Sequence, residues 1–228
     1  MENVGLALLA AGFGTAALML GAKTRRDGAA RARQRSAYFD DCAALLTTPR
    51  IGRGTAGFPR LGGAFDGIAA DVQAMPDTLT FRKLPALWVM VTLLAPLPLC
   101  FTLNVMIRPT GIEPFSKFST LPDQITPPPG FPDDCAIRTD APDALVPEFL
   151  LRPFVTVFDD QAVKEVVISP KGLRITFLAE EAHRGRYLIF RDAEMGKTKL
   201  EPARVAPWLA RMAGFADQMT AANQSISA

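Results

Sequence analysis

Four groups of residues have types and spacings that chemistry uses. Gly52-Arg53-Gly54-Thr55-Ala56-Gly57 matches G-x-G-x-x-G. In a dinucleotide site such glycines allow a tight turn and close approach of a pyrophosphate, between a strand and a helix. The flanks here do not supply that setting. Thr47-Thr48-Pro49-Arg50 is a poor strand, and Phe58-Pro59 discourages a helix at the third glycine. The segment reads as a flexible linker. No G-x-x-x-x-G-K-[ST] loop occurs, which argues against a P-loop nucleotidase.

The sole histidine, His183, lies in Glu180-Glu181-Ala182-His183-Arg184-Gly185. Glu181 and His183 could share a metal, but zinc generally takes three or four protein ligands, mostly His and Cys. Cys42, Cys100 and Cys135 are far apart and show no zinc or C-x-x-C spacing. An odd count without a framework suits a reducing compartment. The pairs Asp40/Asp41, Asp133/Asp134 and Asp159/Asp160 invite a glycosidase or metal reading. Adjacent residues on a strand point to opposite faces, so turn and capping roles are the default. Arg184, Arg186, Tyr187, Phe190 and Arg191 interleave base and ring, yet fit an ordinary strand edge. No catalytic residue, cofactor, metal or nucleic acid is expected.

The elements that would position these groups begin with an apolar run. Val4 to Ala22 carries no charge, and Lys23, Arg25, Arg26, Arg31, Arg33 and Arg35 follow. At helical rise the run covers about 28 Å, near the hydrocarbon thickness of a bilayer. Only Glu2 precedes it, so it lacks the basic start of a signal peptide. The expectation is an uncleaved transmembrane anchor with the N-terminus outside. Ala7, Ala10, Gly14, Ala17 and Gly21 share one helix face and predict a helix–helix interface. The six basic residues predict contact with anionic lipid. They also account for the chain's net charge of +2, so the remainder is mildly acidic.

A second uncharged stretch, Leu84 to Ile107, holds Pro96 and Pro98 at its centre. Proline disrupts a helix there, and both halves are rich in strand formers. A β-hairpin turning at Ala95-Pro96-Leu97-Pro98 is preferred to a second span. Two further hairpins are expected, Leu61–Phe65 with Ile68–Met75 about Asp66-Gly67, and Glu165–Ser169 with Leu173–Leu178. Arg186 to Arg191 reads as a strand. Val205, Trp208, Leu209, Met212, Phe215 and Met219 predict a C-terminal amphipathic helix over about 201–222. The proline-dense middle, with Thr126 to Pro132 at its peak, reads as a rigid surface connection.

These readings combine into an α+β expectation. A single N-terminal transmembrane helix is followed by a soluble domain of antiparallel β-hairpins with a C-terminal amphipathic helix. Residues 1–22 would be the anchor, 23–46 a basic juxtamembrane helical stalk and 47–228 a cytoplasmic domain. The predicted setting is the inner (plasma) membrane, as an integral single-span protein. A protein partner or second copy would pair through the transmembrane helix. The predicted function is a membrane-anchored interaction or scaffold module, such as a subunit or assembly factor of a membrane complex. The alternatives are an enzyme on a membrane-proximal substrate, with Glu181 and His183 as its cluster, and a two-span envelope protein using 84–107.

Overall fold

A computed structural model describes residues 2–78, 84–141, 146–190 and 193–227, and the side chains among them except those of 2–13, 16, 186, 189, 190 and 225–227. Nine strands form one sheet: β1 Thr47–Arg53, β2 Pro59–Phe65, β3 Ile68–Asp77, β4 Ala86–Leu93, β5 Leu103–Ile107, β6 Asp123–Ile125, β7 Cys135–Thr139, β8 Val163–Ser169 and β9 Gly172–Glu181. Every pairing is antiparallel, in the order β1-β2-β3-β4-β9-β8-β5-β7-β6. The helices are α1 Glu2–Ser36, α2 Glu148–Leu151, α3 Arg184–Phe190 and α4 Ala206–Ser227.

Alternation along the strands divides the sheet into two faces. Leu61, Val72, Val89, Val91, Leu103, Val105, Val166, Ile168, Ile175 and Phe177 point into the main core. Helix α4 covers that face with Leu209, Met212, Phe215 and Met219, and Phe215 meets Phe154 edge-on with ring centres 4.9 Å apart. The other face is thinner. Met90 and Met106 pack there with Phe115 and Phe118, and Met75, Trp88 and Ala136 border them. This second cover comes from the segment that follows β5.

Several expectations are corrected. Among the described residues, no helix is long and apolar enough to cross a membrane. That overturns the N-terminal transmembrane anchor, the integral single-span partnership, the pairing of copies through such a span and the inner-membrane placement. Hydropathy reads the composition of a window, whereas the folded helix continues through the basic residues to Ser36. The segment 84–107 is not a span either, because it supplies β4 and β5.

Nor do β4 and β5 form a hairpin. β4 pairs with β3 and β9, and β5 pairs with β7 and β8. The prolines explain part of this. Leu97, the only residue with an N–H between Pro96 and Pro98, donates to the Pro170 carbonyl at 3.1 Å instead of across a turn. The connection thus ties down the β8–β9 turn, and β9 and β8 lie between the two strands.

The presumed linker at Gly52–Gly57 begins in edge strand β1, although Thr47-Thr48-Pro49-Arg50 carries little strand propensity. Register with β2 overrides it. The stalk ends at Ser36, and Tyr38, Phe39 and Cys42 beyond it are buried in the core. Arg184–Phe190 is helix rather than strand. The C-terminal helix starts at Ala206, after a 3-10 turn at Pro202–Arg204.

The β8–β9 turn places a strict demand on Gly172. Its φ is +132°, and a Cβ there would lie 2.1 Å from the Leu93 carbonyl oxygen and 2.8 Å from the Ala95 nitrogen. Both obstacles are backbone, so neither yields cheaply. Gly172→Ala is expected to cost about 3 kcal/mol or more, read from the urea unfolding midpoint of the full chain.

Candidate functional site

Two constellations lie on the thinner face. The first centres on Glu165, which is fully buried. Its Oε1 accepts from Asn104 Nδ2 at 2.8 Å and from Ser116 Oγ. Its Oε2 accepts from Thr176 Oγ1 at 3.1 Å and from the Arg174 guanidinium at 3.2 Å. Cross-strand pairing creates this cluster: Glu165 stands opposite both Thr176 and Met106, and Arg174 and Asn104 sit one same-face step away on β9 and β5. Ser116 descends from the covering segment, where its hydroxyl also accepts from the Phe118 N–H at 3.0 Å. A polar side chain so deep needs partners of this number to offset its desolvation. The cluster is a closed brace between sheet and cover.

The second constellation is an open cleft of about 390 Å³. Two adjacent cross-strand rows line it. One row is Asp77–Ala86–Glu181 and the next is Met75–Trp88–Leu178, of which Trp88 and Leu178 face the cleft. Phe115 stands beside Trp88, with ring centres 5.0 Å apart. The Trp88 indole N–H is buried with no acceptor among the described residues. Such an orphan donor costs about 1–3 kcal/mol.

The far wall is the chain leaving β5. It turns through the left-handed region at Arg108, φ 49°, and runs to Phe115. Glu113 Oε1 accepts from Thr110 N at 2.6 Å and Thr110 Oγ1 at 2.8 Å, which closes a compact loop. Lys164 comes from the other side. It is the extra residue where the β8–β9 register shifts between Val163 and Glu165. A bulge re-aims a side chain that regular alternation would bury in the main core. Lys164 Nζ donates to the Ile107 carbonyl at 2.7 Å and to the Arg108 carbonyl, and lies 3.8 Å from Glu113 Oε1. Arg108 reaches the Gln161 carbonyl at 3.2 Å and Asp134 at 3.6 Å.

The residues singled out from sequence fall elsewhere, with one exception. Glu181 lines the cleft, whereas His183 is exposed in the loop before α3 and does not line it. Among the described residues no group of His, Cys, Asp or Glu is arranged to hold a metal ion. Asp40 and Asp41 pair with Lys199, Asp134 approaches Arg108, and Asp160 caps the Ala162 N–H. Gly14, Ala17 and Gly21 are exposed on α1, and the side chains of Ala7 and Ala10 lie outside the described residues. Lys23, Arg25, Arg26, Arg31 and Arg33 are exposed. Arg35 is half-buried, 5.4 Å over the Phe58 ring and bonded to the Met195 carbonyl.

Sequence reasoning missed both constellations. The alternation of Arg174 and Thr176 with Leu173, Ile175 and Phe177 already marks a polar stripe on β9, and hairpin register carries it to Glu165. The cleft offers no such signal, since it joins residues a hundred positions apart. Comparisons do not supply a precedent: no protein family, curated protein or solved structure matches the chain.

Two outcomes follow. Glu165→Ala strands Arg174 beside three polar groups and is expected to destabilise the chain by about 3–5 kcal/mol in chemical denaturation. The thiols should separate by environment. Burial, then Asp41, pushes Cys42 up to about 11, and burial, then Asp134, pushes Cys135 up to about 12. Both therefore stay neutral near neutrality, and the thiolate is the reactive form. At about pH 8 a disulfide reagent should modify exposed Cys100 quickly, half-buried Cys135 more slowly, and buried Cys42 only after unfolding.

Proposed function

We propose that the chain is a protein-interaction module, with the sheet domain as its body and α1 as the arm by which two copies associate. The observation that carries this reading is the solvation of the arm. From Gly14 to Gln34 every described side chain of α1 is exposed except Gly28, which is half-buried. Leu18, Met19 and Leu20 are 76%, 74% and 64% exposed.

A helix in that condition lacks support. Most helical stability in proteins comes from packing one face. Gly14, Gly21 and Gly28 each cost about 1 kcal/mol relative to Ala in a helix interior. Gly14, Ala17, Leu18 and Gly21 follow one another at helical spacing and share a face. The small residues allow a second backbone to come close, and Leu18 supplies the apolar side chain to bury there. Burying one Leu fully is worth about 1.5–3 kcal/mol, on each side of the pair. An antiparallel arrangement keeps the two basic stretches at opposite ends, which limits like-charge repulsion.

The reading is tested by sedimentation velocity on the full chain. A concentration-dependent dimer is expected, strengthened by added salt because salt screens the basic stretches. Leu18→Asp should weaken it about tenfold or more. A native chain that stays monomeric at tens of micromolar, or a dimer indifferent to Leu18→Asp, would reject the proposal.

A further inference from the structure

Strand β1 ends the sheet, and its outer edge is bare. Only β2 stands beside it, and all seven of its residues are exposed. The ladder fixes which groups of β1 face outward. Pro59 stands opposite Arg53 and has no N–H, so these two do not exchange hydrogen bonds. The next position agrees, since the Gly54 N–H donates to the Phe58 carbonyl at 3.0 Å. Hydrogen-bonded and non-hydrogen-bonded pairs alternate, so Arg50, Gly52 and Gly54 turn toward β2. Ile51 and Arg53 turn their N–H and C=O groups outward, and no described residue bonds to these groups.

The usable edge is short and distinctive. The β1–β2 register shifts between Thr47 and Arg50, where Thr48 has a φ of 49° and Pro49 lacks an N–H. What remains is Arg50-Ile51-Gly52-Arg53. Ile51 continues the row of Leu61 and Val72, which are buried in the core, yet is itself 49% exposed. Arg50 and Arg53 are exposed on opposite faces and form no ion pair with a described residue. No acid on the adjacent strands offsets them. β2 has none, Asp71 on β3 is held by Arg60 and Gln73 at 2.5 Å each, and Asp77 lies beyond the last β2–β3 pair. The side chains outside the described set carry Arg82, Lys83, Arg186 and Arg191 against Glu2, Asp143 and Asp192, so they do not make the balance acidic.

We propose that the outer edge of β1 takes an extended acidic segment of a partner protein as an added antiparallel strand. The outward groups of Ile51 and Arg53 hold its backbone, as in other strand-addition complexes. An apolar side chain opposite Ile51 lengthens the core row, and acidic side chains opposite Arg50 and Arg53 form cross-strand ion pairs. A second copy of β1 is the poorer occupant, because it would crowd four guanidinium groups into the same short ladder. The partner named here rests on the interaction-module reading but not on pairing through α1. Salt separates the two, since screening strengthens pairing of the basic arms and weakens capture of an acidic strand.

The test uses the full chain and a fluorescent, blocked peptide, Thr-Glu-Thr-Val-Glu-Thr, which sets Val opposite Ile51 and a Glu opposite each arginine. Saturable binding is expected by anisotropy, with slowed amide exchange at Ile51 and Arg53. Arg50→Ser with Arg53→Ser should weaken it about tenfold at unchanged thermal unfolding. Ile51→Pro removes an outward N–H and no bond to β2, so it should abolish binding and leave the fold intact. If that variant is unstable, the peptide supplies the same test. N-methylation of its Val, which faces β1, should abolish binding, whereas N-methylation of the central Thr, which faces away, should not. The proposal fails if the peptide does not bind saturably, or if a version with Lys for Glu binds as well. It fails equally if the N-methyl-Val peptide binds undiminished, which would mean charge attraction alone. Loss of a dimer on Ile51→Pro in sedimentation would show a self-paired edge and overturn it too. A monomeric native chain rejects pairing through α1 and leaves this proposal standing.

Discussion

The β8–β9 hairpin, seated between β4 and β5, is the joint on which this sheet depends. β4 and β5 follow each other along the chain, yet β9 bonds to one and β8 to the other. Take the hairpin away and the nine strands become two separate sheets, β1 to β4 and β5 to β7 with β6. Such a joint is made from pairings distant in sequence, so its closure is entropically costly and must be held firmly once made. The sheet does this at three points. Gly172 lets the hairpin turn approach the Leu93 backbone, Leu97 binds the Pro170 carbonyl, and Glu165 gathers donors from β5, β9 and the covering segment. The first two act at one end of the hairpin, and the third acts along its length.

Central placement also explains why the joint carries a buried charge. Strands in the middle of a sheet that is covered on both faces cannot solvate a polar residue, so any such residue must be satisfied locally. Leu or Val at position 165 would match the Met90 and Met106 surroundings and avoid the desolvation cost. A carboxylate adds direction. Apolar packing tolerates sliding of one strand past the next, whereas Glu165 is satisfied only in the register that brings Asn104, Thr176, Arg174 and Ser116 to it. A one-residue slip would turn each strand's set to the opposite face. The same register fixes the segment after β5, because Ser116 belongs to that segment. The wall of the cleft therefore takes its position from the joint.

The parts of this fold legible in the sequence are those written in short-range signals. Asp66 and Gly67 both adopt positive φ, at 48° and 80°, as a two-residue hairpin turn requires, and Asp-Gly is the pair that tolerates it. Pro170-Lys171-Gly172 marks its turn for a similar reason. The apolar spacing from Val205 to Met219 predicts α4 because one helix face must meet the core. Periodicity says which face of a strand is buried but not which strand lies beside it, so β4 and β5 read as partners of each other. Both are near-continuous apolar runs for a reason outside their own sequence, namely cover on either face of the sheet. Tyr187-Leu188-Ile189-Phe190 has strand composition yet lies in a helix, so composition alone does not fix the element here. The cleft was beyond reach because register, a bulge and a loop bring its residues together, and none of these has a signature in residue type.

One strand end serves both the core and the cleft. At the close of β9, Glu180 pairs across from Leu87 and Glu181 across from Ala86, so the two carboxylates leave the sheet on opposite sides. Glu180 faces the core side. It accepts the Gly196 N–H at 2.9 Å and bonds the buried Tyr38 hydroxyl, whose acidity burial and then this carboxylate suppress. Tyr38 follows α1 directly, and Arg35 at the end of that helix reaches the Met195 carbonyl beside Gly196. The foot of the arm is therefore fastened to the residue adjacent to Glu181 at the mouth of the cleft. The pleat that separates the two faces also makes them neighbours, so the arm and the cleft share a mount while their surfaces remain apart.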